Sequence, residues 1–598
     1  MDFLDYYRDN LYYIRALAAE FAVEFPKIAG RLSLSEFDCQ DPYIERLLEG
    51  TAFLAAKTEK KLDDGYYGFL ESILNSIAPS SVYPIPSGGV LEMLFNPAGE
   101  VPDSLTIKAG TLFSAVIPSI NTACRFSNIE DITLNLCRIF SAQYLMRNLS
   151  NFNIKEPAAQ SALHIELAPV LGGVVSTGER LGLFFNASEA DVSLLFRLLR
   201  HDTISVYGRS DDSESFKKLE DAVFELPLNL GGKIFEQTYR SNTRGLRLLQ
   251  NYLSYSDFFK FFTLVNLESV EGKPITELVI FFKRREAQLL NSITPASIKT
   301  NCVPVLNIFP KQSDRVVFNR KAYEVHLVPD RTAMRDYEVV NVKKIDFYNM
   351  RNEHIFSAVN FYDEALAEDR ELRNFFSVKR RGTLVDKNVV QRSSYRGTEV
   401  FVSFAPDEER LQNAYQFTAD LIVTNRDLPL LLPPDSEFTT NINFIAGGAF
   451  VSPPTRPGLP LISRGNRVDY VRLSHIVLNL SAVLWQEGRR PLEMFKEILR
   501  AYQIRSQEET DKMILGLTNM ESESVSFTFI KNGMVFFEWG WKVRFTLDEI
   551  AFTGMSYYMF GCMIAEMLKS FVAVNTLLEI EFFTEQSGHI ATWKTFEG

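Results

Sequence analysis

Apolar residues near the N-terminus recur at alternating spacings of three and four: Leu4, Tyr7, Leu11, Ile14, Ala18, Phe21 and Phe25. That spacing is the a/d seam of a coiled-coil-like helix, and Pro26 ends it. A second helix is predicted with Asp41 as N-cap and Pro42 at its first position, followed by Ile44, Leu47, Leu48, Phe53 and Leu54. Phe69, Leu70, Ile73, Leu74 and Ile77 predict a third. With little strand signal, residues 1–83 read as a helical bundle segment that needs partners to complete it.

From about Pro84 the texture changes to short apolar stretches separated by Gly, Pro, Asn and Asp. Residues 89–95, 105–113, 164–167, 181–185, 278–282 and 337–342 read as strands. A helix over 189–200 carries Val192, Leu195, Phe196 and Leu199 on one face. Pro-rich stretches at 428–434 and 453–460 mark a boundary. Helices over 471–484 and 492–502 follow, then strands at 525–529, 534–537 and 542–545. A helix over 556–571, with Phe560, Ile564, Leu568 and Phe571 sharing a face, is expected to pack on the strands of 534–545. A strand at 578–582 closes the chain. The fold class is therefore α+β and multidomain rather than a doubly wound sheet. Residues 84–310 and 311–450 are expected as two β-rich α+β domains and 451–598 as an α+β C-terminal domain.

At 598 residues the chain exceeds what one core usually supports. Its 48 Phe and 23 Tyr fit wide cores and permanent subunit contacts. A net charge of −12 leaves no footprint for phosphate backbones, so nucleic acid is not an expected partner. The basic run Lys379-Arg380-Arg381 reads as a solvated face. Five scattered cysteines, Cys39, Cys124, Cys137, Cys302 and Cys562, imply no disulfide framework and suit the reducing cytosol. The start of the chain has no signal-peptide pattern, and no apolar run reaches membrane-spanning length, so no direct membrane insertion is expected.

The search for chemistry finds no catalytic, cofactor or metal motif. Gly173 and Gly178 have the separation of a phosphate-binding loop, but Glu179 and Arg180 stand where Lys and Ser or Thr belong. Gly208 to Asp212 only half fits a nucleophile elbow. Six histidines are scattered without metal-ligand spacing, and His475 reads as a core histidine. The acidic clusters at 363–369 and 508–509 lack a glycine-hinged cation loop. Trp539 and Trp541 fall on one face of a strand, where packing or an interface is the default.

Longer strings carry more information. EFPKIAGRL at 24–32 and DPYIERLLEG at 41–50 open an ordered series. It continues with YLSYSDFFKFF at 252–262, NCVPVLNIF at 301–309, LVPDR at 327–331 and YEVVNV at 337–342. TNRDLP at 424–429 and FTGMSYYMFGCMIAEMLKSFVAVNTL at 552–577 complete it. Together these resemble the TssF family, baseplate subunits of bacterial type VI secretion. Val423 and Val303 depart from residues more usual in relatives, Cys and Thr, which a packing role tolerates.

The resemblance implies a non-enzymatic wedge subunit, related in architecture to phage tail wedge proteins. Two TssF copies would clasp one TssG, with TssK and TssE, around the VgrG spike hub beneath the contractile sheath and tube. The place implied is cytoplasmic, at a baseplate docked on the inner-membrane complex. The N-terminal seam could pack on the chain's own second helix. Its start within three residues of Met1, together with the resemblance, makes it the expected subunit interface. Asn425, Arg426 and Asp427, after Thr424, are expected to form a structural turn, with Arg426 clamping a carboxylate or carbonyls. A carbohydrate-active or carbohydrate-binding β-rich protein is the alternative that aromatic abundance suggests.

Overall fold

The computed structural model describes residues 3–31, 41–77, 81–96, 105–118, 120, 122–170, 175, 179–210, 213, 215–226, 241–267, 274–361, 374–383, 392–405, 412–434, 436–460, 491–501, 507–531, 534–552, 555–572 and 576–594. The described residues divide into two compact units, one ending at Val82 and one beginning at Tyr83.

In the first unit the helix Phe3–Glu24 stops before Pro26, which opens the short helix Pro26–Arg31. Asp41 accepts a hydrogen bond from the Tyr43 backbone N–H at 2.9 Å and starts the helix Pro42–Ile77. That helix is a single element of 36 residues where two were expected. Its middle is rich in Ala, Lys and Glu, which are strong helix formers, and its three glycines, Gly50, Gly65 and Gly68, cost only about 1 kcal/mol each. The first helix packs on the long one through the Phe3 and Phe53 rings, 5.2 Å apart. Tyr6 Oη donates to Asp63 at 2.7 Å and Asn10 to Glu59 at 2.6 Å.

Among the described residues the second unit holds five sheets of four to eight strands, the last of them near the C-terminus, and a two-stranded sheet of Leu105–Ile107 with Ile132–Leu134. The first sheet runs Glu437–Phe438, Ile445–Phe450, Gly88–Phe95, Cys302–Leu306, Ala123–Asn128 and Leu112–Val116, all antiparallel. The second runs Lys217–Lys218, Thr203–Arg209, Glu277–Phe282, Ser161–Pro169 and Cys137–Leu145. Its central strand is buried at both parities, which is why LVIFF there is apolar without alternation. The third holds Val223–Glu225, Phe261–Val265, Arg180–Phe185 and Ile298–Thr300. The fourth and largest runs from Phe309–Gln312 through Gln416–Thr424, Glu338–Tyr348, His354–Asn360, Phe375–Gly382 and Thr398–Ala405 to Val325–Leu327. Phe347, Phe356, Phe376 and Phe417 are buried in its core.

The first sheet interlaces the segments 84–310 and 311–450 that sequence texture suggested, while the strands after residue 451 form a sheet of their own. Strands at 437–450 complete a sheet begun at residue 88, because pairing is non-local and texture is not. A turn at Gly110 divides the single strand expected over 105–113. The strands expected near 525, 534 and 542 are one long hairpin, Leu517–Lys531 with Met534–Leu547. The helix expected over 471–484, with His475, lies outside the described residues, as do the glycines at 173 and 178 and the acidic cluster at 363–369.

The helix Glu189–His201 is capped by Ser188, whose hydroxyl accepts from the Asp191 N–H, and it buries Val192, Leu195, Phe196 and Leu199. The C-terminal helix Tyr557–Ser570 links the parallel strands Met534–Leu547 and Leu577–Thr584. Its expected packing on residues 534–545 is replaced chiefly by packing on the helices Ser241–Ser254 and Glu189–His201. Gly245 makes that crossing close: a Cβ there would lie 2.6 Å from Met567 Cα.

Candidate subunit interface and buried junction

The strand Gln416–Thr424 delivers the Thr-Asn-Arg-Asp turn to the seam between the first and fourth sheets. Asn425 and Asn307 are both fully buried there. The Thr424 hydroxyl and the Asn425 backbone N–H each donate to Asn307 Oδ1 at 2.6 Å. Asn307 Nδ2 donates back to Asn425 Oδ1 at 3.0 Å and to the Arg125 carbonyl at 2.7 Å. The Arg125 N–H donates to Asn425 Oδ1 at 3.0 Å. Two side-chain amides thus stitch three chain segments, each supplying the donors and acceptors that burial would otherwise leave bare.

Arg426 adopts a left-handed conformation with φ 55°. Its guanidinium donates to the Arg396 carbonyl and to Thr383 Oγ1, lying over Gly397. Gly397 itself has φ +68°, and a Cβ there would come within 2.5 Å of Arg426 Nη2, so glycine is required on both counts. Asp427 accepts from Ser393 Oγ at 2.7 Å. Nearby, buried Glu338 accepts from Tyr395 Oη, Thr398 N–H and Thr398 Oγ1 at 2.6–2.8 Å. Burial, and then the Glu338 carboxylate, hold the Tyr395 phenol well above its ordinary range, so it stays a donor.

These groups line a cleft of about 390 Å³. Its two deep carboxylates, Glu338 and Asp427, are both engaged by the chain's own donors, an arrangement suited to joining strands rather than to proton transfer. Of the basic run, Arg380 is buried and donates to the Val339 and Val340 carbonyls, so it is a structural strut, not a solvated face. Sequence reasoning singled out Asn425, Arg426 and Asp427 but not Asn307, Glu338, Tyr395 or Thr398. Asn307 does fall within one of the recognised strings, yet no local motif announces a partner 118 residues away.

The N-terminal seam is divided. Tyr7, Leu11, Ile14, Ala18 and Phe21 are half-buried, while Leu4 is 56% and Phe25 44% exposed. The long helix adds a row that sequence reading caught only at Leu47 and Leu54. Tyr43, Leu47, Leu54 and Leu62 are all strongly exposed. At 3.6 residues per turn they fall within about 100° of one another around the helix. This stripe is an apolar helix face left open to solvent.

Among the described residues no group of three His, Cys, Asp or Glu could hold a metal ion, and no helix is long and apolar enough to cross a membrane. Val303 and Val423, the two departures from the family strings, are fully buried apolar side chains.

Comparison with known proteins agrees along the whole length. The family model "Type VI secretion system, TssF" matches residues 1–598. The Pseudomonas aeruginosa "Type VI secretion system component TssF1" is 28% identical over 632 aligned positions, covering 100% of this chain and 98% of that protein. A chain in a cryo-electron microscopy structure of the type VI secretion system TssK-TssF-TssG baseplate subcomplex superposes with a TM-score of 0.69. It is 20% identical, and the match covers 92% of this chain and 98% of that one. From its ordered strings to its interlaced sheets, this chain belongs to the TssF family of the type VI secretion system.

Proposed function

We propose that this chain is a structural subunit of the type VI secretion baseplate wedge, without catalytic activity, and that it meets TssG through its N-terminal helical unit. Two copies would hold one TssG, with TssK and TssE completing the wedge around the VgrG hub under the sheath and tube. The baseplate would stand in the cytoplasm, docked on the inner-membrane complex, with no nucleic acid and no membrane insertion of this chain. The Thr424 to Asp427 junction is the structural element that keeps the sheets of the wedge body in register.

The observation that carries this reading is the exposed apolar row of the long helix, Tyr43, Leu47, Leu54 and Leu62, beside the half-buried seam of the first. Two helices that leave so much apolar surface in water form an incomplete bundle. The related solved assembly, named for TssK, TssF and TssG, supplies the kind of partner that would complete it.

The test is coexpression of the Leu47→Asp, Leu54→Asp double variant with TssG, followed by copurification. Both positions are exposed, so circular dichroism should be unchanged. A carboxylate forced into an apolar contact should abolish capture of TssG. Copurification at wild-type strength would place the interface elsewhere.

A further inference from the structure

The cleft of about 390 Å³ beside the Thr424 to Asp427 turn carries unlike groups on its floor and at its mouth. The floor carboxylates, Glu338 and Asp427, are buried and already engaged by Tyr395, Thr398 and Ser393. The mouth is bordered by Arg335, Arg392, Arg396 and Arg426. The first three are exposed and Arg426 is half-buried.

These arginines are not equally neutralised. Arg392 is paired with Asp336 at 2.6 Å. Arg426 donates to neutral acceptors, the Arg396 carbonyl and the Thr383 hydroxyl. Among the described residues, no carboxylate pairs with the guanidinium of Arg335 or Arg396. Three guanidiniums thus border one opening without an ion-pair partner, in a chain of net charge −12. Like charges gathered at a cleft raise its local potential, which an anionic ligand lowers. The remaining wall is partly apolar: Val328 and Tyr337 are half-buried, and Met334 is 52% exposed.

We propose that this cleft is a docking site for an acidic peptide segment of a partner protein, with carboxylates on Arg335, Arg396 and Arg426 and an aliphatic side chain against Val328, Met334 and Tyr337. The chemistry of the cleft selects this occupant. A planar guanidinium fork matches a carboxylate through two parallel hydrogen bonds. The arginines come from three separate segments of the chain, and a ligand that satisfies all of them carries more than one anionic group. An extended peptide spaces its carboxylates along the backbone and sets aliphatic side chains between them. A polyphosphate is also multivalent, but it has no group for the apolar wall, and any charge drawn inward meets Glu338 and Asp427. The volume is at the small end for ligand pockets, room for a short segment and not for a folded domain.

This site goes beyond the wedge reading, and it is tested on the purified full chain by fluorescence anisotropy. The probe is a fluorescein-labelled peptide of alternating glutamate and leucine, at low salt, where exposed ion pairs are least screened. Wild type should bind it, and added salt should weaken the binding. The Arg335→Ala, Arg396→Ala variant should bind at least about tenfold more weakly. Its circular dichroism should be unchanged, because both side chains are exposed and residue 396 keeps its carbonyl. Met334→Gln should weaken this peptide by about threefold or more and leave a glutamate and serine version unaffected. The Leu47→Asp, Leu54→Asp variant should bind the peptide as wild type does, so failure here and failure of TssG capture are told apart. A wild-type chain that does not bind the peptide overturns the proposal, as does an arginine double variant that binds as tightly as wild type. Displacement of the peptide by an equal concentration of inorganic tripolyphosphate overturns it in favour of a phosphate site.

Discussion

At the scale of single residues, the most consequential group is an asparagine side chain rather than an ion pair. Asn307 satisfies the Thr424 hydroxyl, the Asn425 N–H, Asn425 Oδ1 and the Arg125 carbonyl from one fully buried position. Removing it leaves several buried polar groups bare, which costs more than a single hydrogen bond contributes. Asn307→Ala should therefore lose about 2–4 kcal/mol in chemical denaturation, and a loss under about 1 kcal/mol would show that water replaces the amide. The turn around Asn425 was legible because Thr-Asn-Arg-Asp is turn chemistry. Its true partners were not, since the amides reach across sheets and not along the local backbone.

At the scale of elements, amphipathic period located most helices and missed what covers them. The helix Tyr557–Ser570 buries residues at nearly every angle, leaving chiefly Glu566 and Lys569 toward solvent. A helix apolar on so many sides must be covered on as many, and the second cover is the distant helix Ser241–Ser254, brought close at Gly245. Phe571, 5% exposed at the end of this helix, also accounts for part of the core. Phe571→Ala should cost about 3–5 kcal/mol by thermal or urea unfolding. A loss well below 1 kcal/mol would mean that the helix end relaxes without a cavity. The long helix Pro42–Ile77 shows the opposite failure, because its polar middle hid its continuity while its strong helix formers maintained it.

At the scale of the whole molecule, the cysteines report how completely the interlaced sheets exclude water. Cys124, Cys137, Cys302 and Cys562 are all buried and free. Burial pushes the Cys124, Cys137 and Cys562 thiols up to about 12, and Cys302 higher still. The thiolate is the reactive form, so these four should resist a thiol reagent at neutral pH. In a Cys39→Ser variant the native chain should show no fast-reacting thiol, and four should appear on unfolding in denaturant. A fast-reacting thiol in the native variant would reveal an opening of the sheets. The sequence by itself determined the family, the α+β class, the helical N-terminus and the lack of a recognisable catalytic motif, because these rest on ordered strings and local periodicity. Only the tertiary structure decided that strands near residue 440 complete a sheet begun at residue 88, that Asn307 meets Asn425, and that Phe537 and Trp539 stand in solvent. Each depends on which distant segments pair and where a sheet ends, and period along one chain carries no information about the partner across it.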